Sequence, residues 1–119
     1  MQDNNQTIKH LFLLRVLIYQ QDDGLWAAQC IDHDIVAQGN SIRAAKRAFE
    51  RTIVGQILFD FKNGRQPLAQ FPPAPQKIQD IFEKAGDITL DDKGPIELPV
   101  DTPAAFICNQ ITKEFRLWD

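Results

Sequence analysis

The stretch Gly24–Phe49, GLWAAQCIDHDIVAQGNSIRAAKRAF, decides how this chain folds. It reads as a turn, two short strands and a capped helix start, with almost no residues left over. The Asp-Gly pair at Asp23 and Gly24 is the hairpin signal that joins it to the run before it. Leu25 to Asp32 is expected as a strand in which Trp26, Ala28 and Cys30 share one face, a large residue followed by small ones that let a helix approach. A brief strand follows from Ile35 to Gln38 and ends at Gly39. Asn40 and Ser41 then precede a helical run, with Ser41 as the expected N-cap, because its hydroxyl satisfies an orphan amide of the first turn.

Working outward, Leu11 to Tyr19, LFLLRVLIY, is rich in branched and aromatic residues and reads as the first strand. Alternation puts Phe12, Leu14, Val16 and Ile18 on one face, and Leu11, Leu13, Leu17 and Tyr19 around Arg15 on the other. Two apolar faces imply a central strand or an interface. The helix is expected from Ile42 to Phe61 or Lys62. Ile42, Ala45, Phe49, Ile53 and Ile57 form its core stripe, while Val54, Leu58 and Phe61 form a second stripe. One sheet face does not cover both, so the C-terminal part or a second subunit must.

Residues 63–76, NGRQPLAQFPPAPQ, carry four prolines and a glycine that end the helix. They predict a wrapping linker in which Leu68 and Phe71 dock. A short helix is expected from Gln76 to Ala85, stopped by Gly86, and too short to stand without packing. Ile88 to Val100 alternates weakly, and Ala104–Ile111 and Glu114–Trp118 read as short strands. The fold class is therefore α+β: a three-stranded antiparallel sheet packed on one long helix. Residues 1–65 form the core, and the linker, short helix and additional strands of residues 66–119 pack on the same domain.

The chain has 119 residues, about the size of one globular domain, and a formal net charge of -3. No global positive field attracts phosphate backbones, so any nucleic-acid contact must rest on a local patch. The one basic cluster is Arg43, Lys46, Arg47 and Arg51, with residues 43, 47 and 51 spaced by four on the long helix. It is a candidate contact for nucleic acid or an acidic partner, though solvated helix faces commonly look the same. Between Asp80 and Asp101 seven acidic residues stand against two basic ones, and this segment has the charge to lie across the basic face. Two cysteines, no signal-peptide pattern and no run long enough to span a bilayer predict a reduced, cytoplasmic protein without membrane association.

Constellations for chemistry are sparse. A two-metal nuclease needs several converging carboxylates, yet the first strand has none. Asp22 and Asp23 fall in a turn, and Asp32 and Asp34 flank a strand end, where local hydrogen bonding accounts for acidic residues. Asp32, Asp34 and Glu50 are the carboxylates such an enzyme would use. Cys30 and His33 stand three apart without the second ligand pair a structural zinc needs, and a Cys30–His33 dyad lacks an orienting group. His33 is expected at the surface, Cys30 as a buried thiol, and His10 as exposed. No catalytic residue, metal ligand or cofactor is expected.

The order of a turn with Gly24, aromatic Trp26, Asp32 closing a strand, Gly39 ending the next, and Ser41 opening a helix with Ala44, Ala45 and Ala48 resembles the HicB-like antitoxin family. The resemblance spans about residues 11–65. It implies a partial RNase H-like arrangement of three antiparallel strands with a helix on one face. It also implies a binding function, the sequestering of a small protein partner such as an RNA-cleaving toxin. The contacts it suggests are the sheet edge and turn around Trp26, Gln29, Asp32, His33 and Asp34. After Asp32 this chain has His33-Asp34-Ile35-Val36, where family members often carry a Leu-Pro-Gly-Cys-type turn. Residues 76–119 show no helix-turn-helix or ribbon-helix-helix pattern. The excess apolar surface on the first strand and long helix favours a homodimer.

Overall fold

A computed structural model describes residues 11–88 and 110–118. Strands β1 (Leu11–Gln20), β2 (Trp26–Cys30) and β3 (Val36–Gly39) lead into helix α1 (Ile42–Lys62). Helix α2 (Gln76–Lys84), strand β4 (Gly86–Asp87) and strand β5 (Gln110–Trp118) follow. They build one five-stranded mixed sheet in the order β3-β2-β1-β5-β4. The first three strands are antiparallel neighbours, as the sequence predicts. β5 runs parallel to β1 from Leu11 opposite Gln110 to Tyr19 opposite Trp118, which makes β1 the central strand.

The hairpin between β1 and β2 turns where Asp-Gly stands. Gly24 has a φ of 89°, a left-handed conformation that glycine adopts without a Cβ clash. Its amide donates to the Gln21 carbonyl, and the Asp23 carboxylate accepts from the Leu25 amide. At the start of α1 the Ser41 hydroxyl accepts from the Ala44 amide at 3.0 Å, the expected cap. Gly39 matters for a different reason: a Cβ there would lie 2.4 Å from the Ala45 nitrogen and 2.7 Å from the Ala44 Cβ. Glycine and the alanines together let α1 lie directly on the end of β3.

The two faces of β1 bury into two separate cores. Leu14, Val16 and Ile18 pack with Ala28, Cys30, Ala37 and the α1 residues Ala45, Phe49, Ile53 and Ile57. On the other face Leu17 packs with Ile31, Ala74 and Phe82, against which Ile78 and Ile81 of α2 lean. A helix on each side thus satisfies the two-sided hydrophobicity of β1. Fully burying each such side chain contributes about 1.5–3 kcal/mol.

The second stripe of α1 finds its cover in the linker. Val54 and Leu58 share a cluster with the fully buried Leu68, and Phe71 packs against the same cluster. Phe61, expected in that stripe, is instead 39% exposed. Asp60 anchors this strap, residues 63–75. Its buried carboxylate accepts the Leu68 amide at 2.8 Å and the side-chain amides of Gln56 and Gln70 at 3.1 Å. Leu68 sits at a φ of 65°, an uncommon backbone for a bulky residue that these bonds hold in place. The strap then reaches the β2–β3 loop, where the Asp34 amide donates to the Pro72 carbonyl and the Ala74 amide to the Ile31 carbonyl.

Boundaries differ from expectation by a residue or two. β2 stops at Cys30 because residues 31–35 turn to meet the strap, and Gly39 belongs to β3. Helix α2 ends at Lys84, and Gly86 opens β4 rather than stopping the helix. The segment Glu114–Trp118 is the second half of the longer β5. His10, Cys108 and all but the first residue of Ile88–Val100 lie outside the described residues, as does most of the acidic Asp80–Asp101 segment; so do residues 104–109 of the expected strand Ala104–Ile111, whose last two residues open β5. No helix among the described residues is long and apolar enough to cross a membrane.

Candidate functional site

Register places the candidate residues on different sides of the sheet. Trp26 lies on the α1 side, half-buried against that core. Gln29 belongs to the α2 side, where it is 6% exposed. The five residues expected as one contact surface therefore do not form one: alternation along β2 sends Trp26 and Gln29 to opposite faces.

On the α2 side the pairing defines rows across the sheet. Gln38, Ala27, Tyr19 and Trp118 form one row, and Val36, Gln29, Leu17 and Arg116 form the next. Within them the Tyr19 hydroxyl donates to Gln29 Oε1 at 2.8 Å, and Gln29 Nε2 donates to Asp34 Oδ1 at 2.9 Å. This chain fixes the Gln29 side chain at both ends. Burial, followed by the Asp34 charge, raises the Tyr19 pKa, so the phenol stays protonated as the donor. Beside the network Val36 is 45% and Trp118 41% exposed. Helix α2 covers Leu17 and Ile31, and Tyr19 packs at the margin of that cluster, so the exposed side chains of the first row are those at its two ends, Gln38 and Trp118.

Asp32 is held elsewhere. Arg15 Nη2 lies 2.7 Å from its Oδ1, and the Arg15 main-chain amide donates to its Oδ2 at 3.1 Å. Arg15 and Arg116 both lie over the Phe82 ring, at 5.9 and 4.4 Å from its centroid. His33 is part-buried rather than at the surface, with an Nδ1 that is enclosed and meets no hydrogen-bond partner among the described residues. Cys30 is the expected buried thiol, and burial raises its pKa away from the reactive thiolate form.

The basic cluster also divides. Arg43, Arg47 and Arg51 lie exposed on α1. Lys46 does not share their face: it is 3% exposed, its Nζ lies 3.1 Å from Glu50 Oε2, and it sits 5.9 Å from the centroid of the Phe115 ring on β5. Position 46 is three residues from 43 but turns toward the sheet, and a long alkyl stem lets lysine cross that boundary. Of the carboxylates a nuclease would use, Asp32 is engaged by Arg15, Asp34 by Gln29, and Glu50 by Lys46. Among the described residues no group of three or more His, Cys, Asp or Glu converges as metal ligands do.

Sequence reasoning missed Tyr19 and Trp118 as site residues. Their only signal was the parity of β1, and the β1–β5 pairing that brings them side by side is invisible to a local pattern. Comparison of the chain with protein-family models, curated proteins and solved structures finds no match.

Proposed function

We propose that this chain is a protein-binding module of the antitoxin type, which holds a small protein partner, such as an RNA-cleaving toxin, against the exposed Trp118 end of its sheet face. The observation that carries this reading is the Tyr19–Gln29–Asp34 network beside the exposed Trp118. Tyrosine and tryptophan fixed on strands offer large contact area and a polar handle at small entropic cost, the character of interface hot spots. Neutralisation by occlusion needs no bond making: a rigid surface that covers the partner's active cleft is sufficient. The strand-turn-strand-strand order and the Ser41-capped helix support the same class of protein.

The test is titration of the full chain with the product of a neighbouring toxin-like reading frame, read by calorimetry and by loss of RNA cleavage. Wild type is expected to bind and inhibit, and Trp118→Ala to weaken binding at least about ten-fold, as removal of a hot spot does. No complex, or an affinity indifferent to Trp118, counts against the reading. Strongly salt-dependent binding to RNA or DNA that requires Arg43, Arg47 and Arg51 would replace it with a nucleic-acid-binding one.

A further inference from the structure

The outer edge of β3 has a self-complementary hydrogen-bonding register. The Cys30 amide donates to the Ile35 carbonyl at 2.9 Å, so residues 30 and 35 are a hydrogen-bonded pair of the β2–β3 ladder. Alternation makes Ala28 and Ala37 the next such pair and leaves Gln29 and Val36 unbonded to each other. The other side of β2 agrees. The Ile31 amide donates to the Arg15 carbonyl, so the main-chain groups of Gln29 point to β1. The amides and carbonyls of Val36 and Gln38 therefore point outward, away from the sheet. The same parity holds at Asp34, whose amide is already taken by Pro72 of the strap. Among the described residues nothing pairs with the edge at Val36 and Gln38.

We infer that this edge pairs antiparallel with the same edge of a second copy of the chain, about a two-fold axis through Ala37. Val36 then lies opposite Gln38 of the second copy, and Gln38 opposite its Val36. Both positions are hydrogen-bonded pairs, and the two together make four main-chain bonds between the copies. Two sheets of five strands become one continuous sheet. The side chains agree with a second copy as occupant. Ile35 to Gly39 contains no lysine, no proline and no bulge, the devices that usually keep edges apart. In the paired register no two charges oppose each other. On one flank of α1, Ala44 lies over Gly39 at the end of this edge. Lys46 and Glu50 occupy the opposite flank, toward β5.

The register gives a specific test on the full chain, using exposed positions. Val36→Lys with Gln38→Lys puts introduced ammonium groups opposite each other across the axis, whereas Val36→Lys with Gln38→Glu puts opposite charges there. Sedimentation velocity at micromolar and higher concentration is expected to give a dimer for wild type, a monomer for the first variant and a dimer for the second, with like unfolding midpoints once all three are diluted to monomers. A monomeric wild type overturns the inference. So does a double-lysine variant that stays dimeric, or a lysine–glutamate variant as monomeric as it. The readout needs no partner protein: a chain that dimerises in this register yet binds no toxin leaves the inference standing and removes the antitoxin reading.

Discussion

Arg15 and Asp32, on adjacent antiparallel segments, are joined at two points of each residue. The guanidinium approaches Oδ1 through Nε at 3.1 Å and Nη2 at 2.7 Å, while the Arg15 main-chain amide takes Oδ2. Burial opposes ionisation of Asp32, but the hydrogen bonds from Arg15 outweigh it and hold the carboxyl below its ordinary value. A depressed folded-state pKa stabilises the fold above the unfolded value of about 3.9, and that contribution is lost as pH falls through the folded value. With both side chains partly exposed, Asp32→Asn is expected to cost only about 1 kcal/mol near neutrality. It should also shallow the decline of the melting temperature below about pH 5. An acid limb as steep as that of wild type would contradict the assignment.

Asp60 acts in the same direction from a buried position. Desolvation raises its pKa, but the Leu68 amide and the Gln70 and Gln56 side chains lower it further, for a net depression. Asp60→Ala leaves three donors without an acceptor and releases the strap from α1, at an expected cost of about 3 kcal/mol. Urea unfolding measures that loss, and limited proteolysis should show new cleavage between residues 63 and 71. Unchanged protease resistance would mean that Leu68 burial alone holds the strap.

Gly39→Ala should be among the most damaging single-atom additions, because the new Cβ meets the backbone of Ala44 and Ala45, which has no flexible end to move aside. A cost of about 3 kcal/mol is expected from overpacking. Ser41→Ala, two residues away, loses only the cap, about 1 kcal/mol. Chemical denaturation of the two variants distinguishes them, and equal costs would show that α1 slides to accommodate the methyl.

What the sequence made legible was local. The Asp23-Gly24 turn, the Ser41 cap, the alternation in Leu11–Tyr19 and the four-residue stripe through Ala45, Phe49, Ile53 and Ile57 each depend on neighbours within a few positions. Each stands in the structure as expected. The pairing of β5 with β1 depends on residues far apart in the chain, and it left no mark in the composition of Glu114–Trp118. The candidate site suffered most from this: choosing Trp26 and Gln29 as one surface ignored the parity of a strand, while Tyr19 and Trp118 become neighbours only through that distant pairing. Lys46 was misplaced for a subtler reason, since a charged residue at the margin of a helix face turns inward when a carboxylate and an aromatic ring wait there.

Because Leu14, Val16, Leu17 and Ile18 of β1 are buried beneath a helix on either side, the exposed large apolar side chains of the sheet, Val36 and Trp118, stand on β3 and β5 instead. Substitutions there are free to change the surface without loosening the interior. A change in β1 disturbs two cores at once, so novelty in this fold has to arise at its margins.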